Sequence, residues 1–328
     1  MTAPAPEPIR IGVSSCLLGT AVRYDGQHKR NDFLVEELGP LVEWVSVCPE
    51  VEVGMGVPRE SVRLVRGPRG RTLMLGNQSG SDWTARMETF AAGRADELAH
   101  AELCGYVLKS RSPSCGMERV NLFADDVGGH DAERQPRKEG VGLFAAALLR
   151  RLPNLPVEEE GRLADPRLRE NFIERVFAYD RLRRLWRARW ALRELIAFHT
   201  AHKMALLAHS TEGYRELGRL VAAAKTIPRA ELRDRYETRF MSVLRKLATP
   251  GRQANVLQHM AGHLREGLDA GDRRELGAAI DDHRNGLVPL IVPVVLLRHH
   301  ARRLDVAYLL GQTYLDPHPK ELMLRNRV

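Results

Sequence analysis

Three cysteines stand in three short polar segments far apart in the chain. They are Cys16 in Ser14-Ser15-Cys16-Leu17-Leu18-Gly19, Cys48 in Cys48-Pro49-Glu50, and Cys115 in Ser112-Pro113-Ser114-Cys115-Gly116. No two are near enough in sequence to make the paired spacing of a closed structural zinc site. Iron–sulfur clusters accept thiolates from scattered positions, and a cluster held by three leaves one iron open. A buried, inert thiol is the other ordinary reading of each. Glu50 follows Cys48 by two residues and faces the same side if the backbone stays extended. A carboxylate beside a metal can act as general base for water. Ser112 and Ser114 bracket a proline just before Cys115, so a turn there offers hydroxyls and backbone N–H groups to an anion or a ligand sulfur. Lys109 and Arg111 flank the same segment, either to meet phosphate or to line a solvated strand end. The fourth thiol, Cys104, lies outside these segments, where a helix runs into a strand, and reads as core.

Each of the three cysteines follows an apolar run with strand character: Ile11-Gly12-Val13, Trp44-Val45-Ser46-Val47 and Gly105-Tyr106-Val107-Leu108. In an open parallel sheet, strand ends of one polarity converge on one crevice, where ligands bind. The intervening segments alternate accordingly. Asn31 can cap a helix carrying Phe33, Leu34, Leu38 and Leu41. Arg63-Leu64-Val65-Arg66 and Thr72-Leu73-Met74-Leu75, joined by Gly67-Pro68-Arg69-Gly70, read as a hairpin. Ser81 or Asp82 can cap a helix from Trp83 to Leu103. A loop follows at Gly128-Gly129-His130-Asp131. Gly140-Val141-Gly142 opens another helix, and Leu155-Pro156-Val157 gives a last short strand. That alternation predicts an α/β, three-layer, Rossmann-like domain over 10–160, after a flexible tail at 1–9. From Pro166 onward almost every segment has helical spacing. Arg167 to Phe198 reads as one long helix or two, followed by His202–Lys225, Ala230–Leu247, Gln253–Leu268, Arg273–Asn285 and Leu290–Leu304. The second domain, over 161–328, is predicted to be all-α.

Charge divides along the same line. Residues 1–160 carry 19 Lys+Arg against 23 Asp+Glu, whereas 161–328 carry 31 against 19, a net of +12. An asymmetry of that size points the second half toward a polyanion, nucleic acid or an anionic membrane surface, with a solvated arginine-rich surface as the plain alternative. Arg183, Arg184, Arg187 and Arg189 form a basic stripe that can grip an RNA backbone, and Trp186 and Trp190 share one helix face, either to stack on bases or to pack as core. His199 with His202, and His259 with His263, have helical spacing but no thiol or carboxylate partner nearby, which argues against metal. The longest apolar run, Leu287 to Leu297, holds two prolines and falls short of the ~20 residues that span a bilayer. With no secretory pattern at Met1–Pro8, the expectation is a cytoplasmic protein without a membrane partner. Four cysteines in such a chain fit ligands, nucleophiles or filler better than a disulfide framework.

Four segments in order, Ser14–Gly19, Arg23-Tyr24-Asp25-Gly26, Cys48–Arg59 and Leu108–Gly116, resemble the thiouracil desulfidases over most of residues 10–150. The second half, with His202-Lys203 through His209-Ser210 and Gln312-Thr313-Tyr314-Leu315, resembles the helical domain fused to desulfidases proposed to act on 4-thiouridine in transfer RNA. The resemblance implies a [4Fe–4S] cluster held by Cys16, Cys48 and Cys115, with one open iron to bind the substrate's sulfur. It implies Glu50 as the base that activates water, and Ser112 as a substrate contact or proton relay. It implies non-redox, hydrolytic desulfuration that yields uracil and sulfide, with tRNA or free thiolated uracil bases as partners. Ser14, Lys109, Arg111 and the four arginines are candidate substrate or RNA contacts. Two other classes stay open at this point: a cysteine or zinc hydrolase or transferase using Cys115, and a non-catalytic RNA-binding protein whose cysteines are structural.

Overall fold

The computed structural model describes residues 8–124, 135–187 and 189–328. The loop expected at Gly128–Asp131 and all but the last two residues of the expected tail lie outside that range. Ile9 already opens the first strand. The chain forms two compact units, 1–164 and 165–328.

In the first unit, β1 (Ile9–Ser14), β2 (Val42–Val47), β5 (Gly105–Leu108) and β8 (Val157–Glu159) make a four-stranded sheet in the order β2-β1-β5-β8. Every pairing in it is parallel. The central strands are almost continuously buried, as strands covered on both faces must be. At Gly12 a Cβ would lie 2.1 Å from the Tyr106 ring, so only glycine lets that ring lie across β1. A second sheet, in the order β4-β3-β6-β7, contains β3 (Val62–Arg66), β4 (Thr72–Gly76), β6 (Val120–Phe123) and β7 (Arg137–Gly140). Strands β3 and β4 form the expected antiparallel hairpin. Three helices join these strands: α1 (Pro49–Glu52), α2 (Thr84–His100) and α3 (Leu143–Arg151). Trp83 is the N-cap of α2 and offers no side-chain cap; the Asp82 carboxylate, one position earlier, accepts from the Thr84 N–H at 2.8 Å. The segment after Asn31 is a six-residue π-helix, Phe33–Leu38, with the Asn31 side chain accepting from the Leu34 N–H at 3.2 Å.

The second unit is helical: α4 (Pro166–Arg187), α5 (Leu192–His209), α6 (Thr211–Ala222), α7 (Arg229–Leu244), α8 (Pro250–Gly262), α9 (Ala270–Arg284), α10 (Ile291–Arg303) and α11 (Ala307–Leu310). The break between α4 and α5 falls before Leu192, so no single helix runs from Arg167 to Phe198. The Glu194 carboxylate reaches back to the Ala191 N–H at 2.8 Å and restarts the helix there. The next break falls at Ser210, whose hydroxyl accepts from the Gly213 N–H at 3.2 Å, which divides the segment read as His202–Lys225. Met204, Leu257, Ile280, Leu297 and Tyr314 belong to one buried core in this unit. Among the described residues, no helix is long and apolar enough to cross a membrane.

Candidate active site

The C-terminal ends of β1, β2 and β5 open on one cavity of about 320 Å³. Chain order reverses at β1, which has β2 on one side and β5 on the other. Loops leaving such a switch point diverge and leave a crevice between them. Cys16, Cys48 and Cys115 all line it, with Ser14, Glu50, Lys109, Arg111 and Ser112.

Local chemistry fixes each cysteine. A short 3-10 turn, Ser15–Leu18, carries Cys16 off β1, and the Cys16 carbonyl accepts from the Lys29 N–H at 2.9 Å. Cys48 stands at the head of α1. Pro49 takes the first helical position, where a missing N–H leaves nothing unsatisfied. The Glu52 carboxylate returns to the Cys48 N–H at 3.0 Å. The chain therefore does not stay extended after Cys48, and the first turn of α1, not strand alternation, carries Glu50 to the cavity. Cys115 ends a turn built on Ser112, whose hydroxyl oxygen accepts from the N–H groups of Ser114 at 3.2 Å and Cys115 at 3.1 Å. This turn is docked on the start of α3. The Leu143 and Ala145 N–H groups donate to the carbonyls of Pro113 and Ser114, both at 3.1 Å, which satisfies donors that a helix start leaves open. A Cβ at Gly142 would lie 2.4 Å from the Ser114 carbonyl oxygen, so glycine permits the approach.

The end of β8 holds the same loop from the other side. Glu159 accepts from the Met117 N–H at 2.7 Å. Glu160 accepts from the Ser110 N–H at 2.6 Å and the Lys109 ammonium at 2.5 Å. Lys109 is thus committed to a carboxylate. Arg111 is exposed on the cavity wall, with its backbone at φ +60°.

Glu50 is held on both oxygens. Its Oε2 accepts from Arg59 Nη2 at 2.5 Å and Nε at 3.1 Å. Its Oε1 accepts from Ser114 Oγ at 2.9 Å, with Ser112 Oγ at 3.5 Å. The thiols feel one another. Burial pushes Cys16 up to about 11, with Lys109 opposing and the charge of Cys48 adding. Burial likewise raises Cys48. Cys115 is raised well above the ordinary thiol range by burial, opposed by a hydrogen bond with Ser14, and raised further by Glu50, Cys16 and Cys48. A cysteine nucleophile needs the opposite shift. Among the described residues, no three His, Cys, Asp or Glu side chains are grouped as one metal ion requires. Thiols carried on three separate loops around one cavity are the donor type that an iron–sulfur cluster takes.

Residues 11–160 match the family model described as 2-thiouracil desulfurase, and 203–319 match one described as Protein of unknown function (DUF1722). Uncharacterized protein YbgA of Escherichia coli (strain K12) is 32% identical over 161 residues, 49% of this chain and 95% of that protein. The chain belongs to the thiouracil desulfidase family. A second relative, Uncharacterized protein YbbK of Bacillus subtilis (strain 168), is 35% identical over 112 residues, 32% of this chain and 71% of its own. A solved structure described as the [4Fe–4S]-dependent thiouracil desulfidase TudS is 31% identical over 48% of this chain and 93% of that one, with a TM-score of 0.37.

Within this desulfidase, two cavity residues received no role from the sequence. Arg59 and Tyr24 sit inside recognised segments, yet nothing in their spacing assigns them chemistry. Tyr24 is 43% exposed and lines the cavity, with the Arg23 guanidinium 5.5 Å from its ring centre. Ser114 is fully buried and is the nearer of the two serines to Glu50, while Ser112 spends its oxygen on the turn. Cys104 is buried away from the cavity lining.

In the helical unit, Arg184, Arg187 and Arg189 are exposed and Arg183 is half-buried. Arg183 stands 5.7 Å from the centre of the Tyr179 ring, and Arg184 Nε pairs with Asp180 at 2.8 Å. Arg181, at the head of the same stripe, turns inward and donates to the Pro317 carbonyl at 2.9 Å. Trp186 is buried, with the Trp190 ring 4.9 Å from it, so this pair packs together. His199 and His202 are buried among Phe198, Tyr236 and Phe240. Burial lowers their pKa values to about 4 and about 3, so both are neutral packing groups near pH 7.

Proposed function

We propose that this protein hydrolyses the thiocarbonyl of 4-thiouridine in transfer RNA, at a [4Fe–4S] cluster held by Cys16, Cys48 and Cys115. The observation that carries the reading is that three thiols, two buried and Cys48 half-buried, and one doubly anchored carboxylate, from three strand ends, line a single cavity. When bound, a cluster with one open iron supplies a thiophilic Lewis acid toward the C=S group. The chain's own residues supply the rest. Glu50 Oε1, on the side away from Arg59, takes a proton from water entering the cavity. Ser114 Oγ holds that oxygen in place, and Ser112 Oγ, 3.5 Å from it, is the second hydroxyl beside the carboxylate and the one we assign to relay a proton. Tyr24 offers an exposed ring face on which a pyrimidine can stack. Lys29 and Arg111 add positive charge to the cavity wall, suited to a phosphate backbone. The net step is balanced without electrons: water enters, C=S becomes C=O, and sulfide leaves.

The RNA assignment rests on the second unit. Residues 161–328 carry 31 Lys+Arg against 19 Asp+Glu, more than a small neutral base requires. The test is anaerobic loading with iron and sulfide. The loaded protein should absorb in the visible and release sulfide from 4-thiouracil. Failure to bind iron with all thiols reduced contradicts the reading.

A further inference from the structure

Arg59 is the most constrained charged side chain on the cavity wall. Its side chain is 6% exposed. Its Nη1 donates to the Val22 carbonyl at 3.0 Å and the Gly56 carbonyl at 2.9 Å. Its Nε and Nη2 both donate to Glu50 Oε2. Its backbone N–H donates to the Tyr24 carbonyl at 2.9 Å. One residue therefore ties the loop after β1, the loop after α1 and the carboxylate into one rigid unit. The fork is nearly spent on fixed acceptors, so it has little left with which to bind a ligand. What it does is hold one oxygen of Glu50, which leaves the other to Ser114 and to incoming water.

We propose that Arg59 is the positioning residue for Glu50: it acts on the reaction only by fixing the direction in which the carboxylate presents Oε1. The assignment rests on the function proposed above. Lysine cannot replace this role, because an ammonium lacks the planar fork that grips one carboxylate and two carbonyls together. Arg59 also lines a second cavity of about 300 Å³, with Trp83, Glu60 and Ser79. Removing the side chain therefore opens a space that a small planar cation can enter from solvent.

The experiment is a double-mutant cycle on iron-loaded protein with a thiolated base as substrate. Arg59→Ala should keep its iron ratio and visible absorbance. Its kcat should fall about 100-fold, the scale of a small misplacement of a reacting group, while KM changes little. Millimolar guanidinium should restore much of that loss, and ammonium none. In a Glu50→Gln background, Arg59→Ala should cost less than about twofold, because groups acting through one another are not additive. Arg59→Lys covers the case in which the alanine variant fails to fold. It should lose kcat about tenfold or more in the wild-type background and almost nothing beside Glu50→Gln. Additive losses in the cycle, a loss confined to KM or to iron content, or full activity in Arg59→Lys overturns the assignment. A wild type that binds iron yet releases no sulfide refutes the proposed function and this role with it. A wild type that turns over normally while the cycle is additive refutes this role alone.

Discussion

Replacing Glu50 by glutamine tests the proposed base with two separate magnitudes. Glutamine keeps the length and shape of the side chain. Its amide oxygen can still accept from Arg59, but as a neutral group. Its NH₂ then faces Ser114 Oγ, which must turn from donor to acceptor. The exposures of 6% for the Arg59 side chain and 15% for Glu50 make this a well-shielded ion pair. Weakening a hydrogen bond to a charged group costs about 1.5–3 kcal/mol. In a unit of this size that lowers Tm by roughly 3–12 °C, using about 2–4 °C per kcal/mol. The chemical effect should be larger. Loss of a general base reduces turnover about 100-fold or more, about 2.7 kcal/mol of barrier. Iron content should remain near that of the wild type, since Glu50 is not a ligand in this scheme. Calorimetry, iron analysis and sulfide release measure the three quantities on one preparation. A folded, iron-loaded Glu50→Gln protein at full turnover would falsify the role of Glu50 as base.

Three further outcomes are expected. Cys16→Ser, Cys48→Ser and Cys115→Ser should each lose iron and activity, whereas Cys104→Ala should keep both; an essential Cys104 beside a dispensable cavity cysteine contradicts the ligand set. Reversing charge at Arg183, Arg184, Arg187 and Arg189 should weaken binding to thiolated tRNA, with affinity falling steeply as salt rises, while release from a free base is spared; equal loss on both substrates removes the RNA assignment. The helical unit should weaken in acid. His199 and His202 have folded pKa values lowered by burial to about 4 and about 3, so the unfolded chain binds more protons below its own value of about 6.5. Their contribution is complete above that pH and is lost as pH falls toward 4. His209 runs the other way. Both its ring nitrogens face acceptors, Lys246 O and Glu174, and those partners raise it against burial, so its contribution is present below about 6.5 and lost at alkaline pH. Unfolding followed from pH 7 to 4 should show net proton uptake, reduced in His202→Gln.

The parallel sheet and its three cysteines were legible because each thiol follows a short apolar run and precedes a glycine- or proline-marked turn. What surrounds them was less so. Glu50 could be chosen by its neighbours, but the direction of its approach depends on α1 starting at Pro49, which alternation along an extended chain does not describe. Ser114 and Ser112 look interchangeable in sequence. They differ only because one oxygen is occupied by two turn N–H groups and the other faces the carboxylate. Glu159 and Glu160, which hold the Cys115 loop, lie about 40–50 positions from their partners, with no local pattern to join them. In the helical unit, both breaks lack proline and glycine. Their signals were side-chain caps, Glu194 returning to Ala191 and Ser210 accepting from Gly213, which helical periodicity overrides. Arg181 shares the spacing of the basic stripe but turns inward toward Pro317.

The proposed reaction exchanges sulfur for oxygen on RNA, without electrons, at the three-cysteine cavity. The most direct measurement is nucleoside analysis of bulk tRNA after anaerobic incubation with the iron-loaded full chain and no reductant. 4-Thiouridine should disappear and uridine appear in equal amount, with one sulfide released for each and no change in a Cys115→Ser control. Unchanged 4-thiouridine in the presence of an intact cluster, or loss that requires an electron donor, contradicts the account.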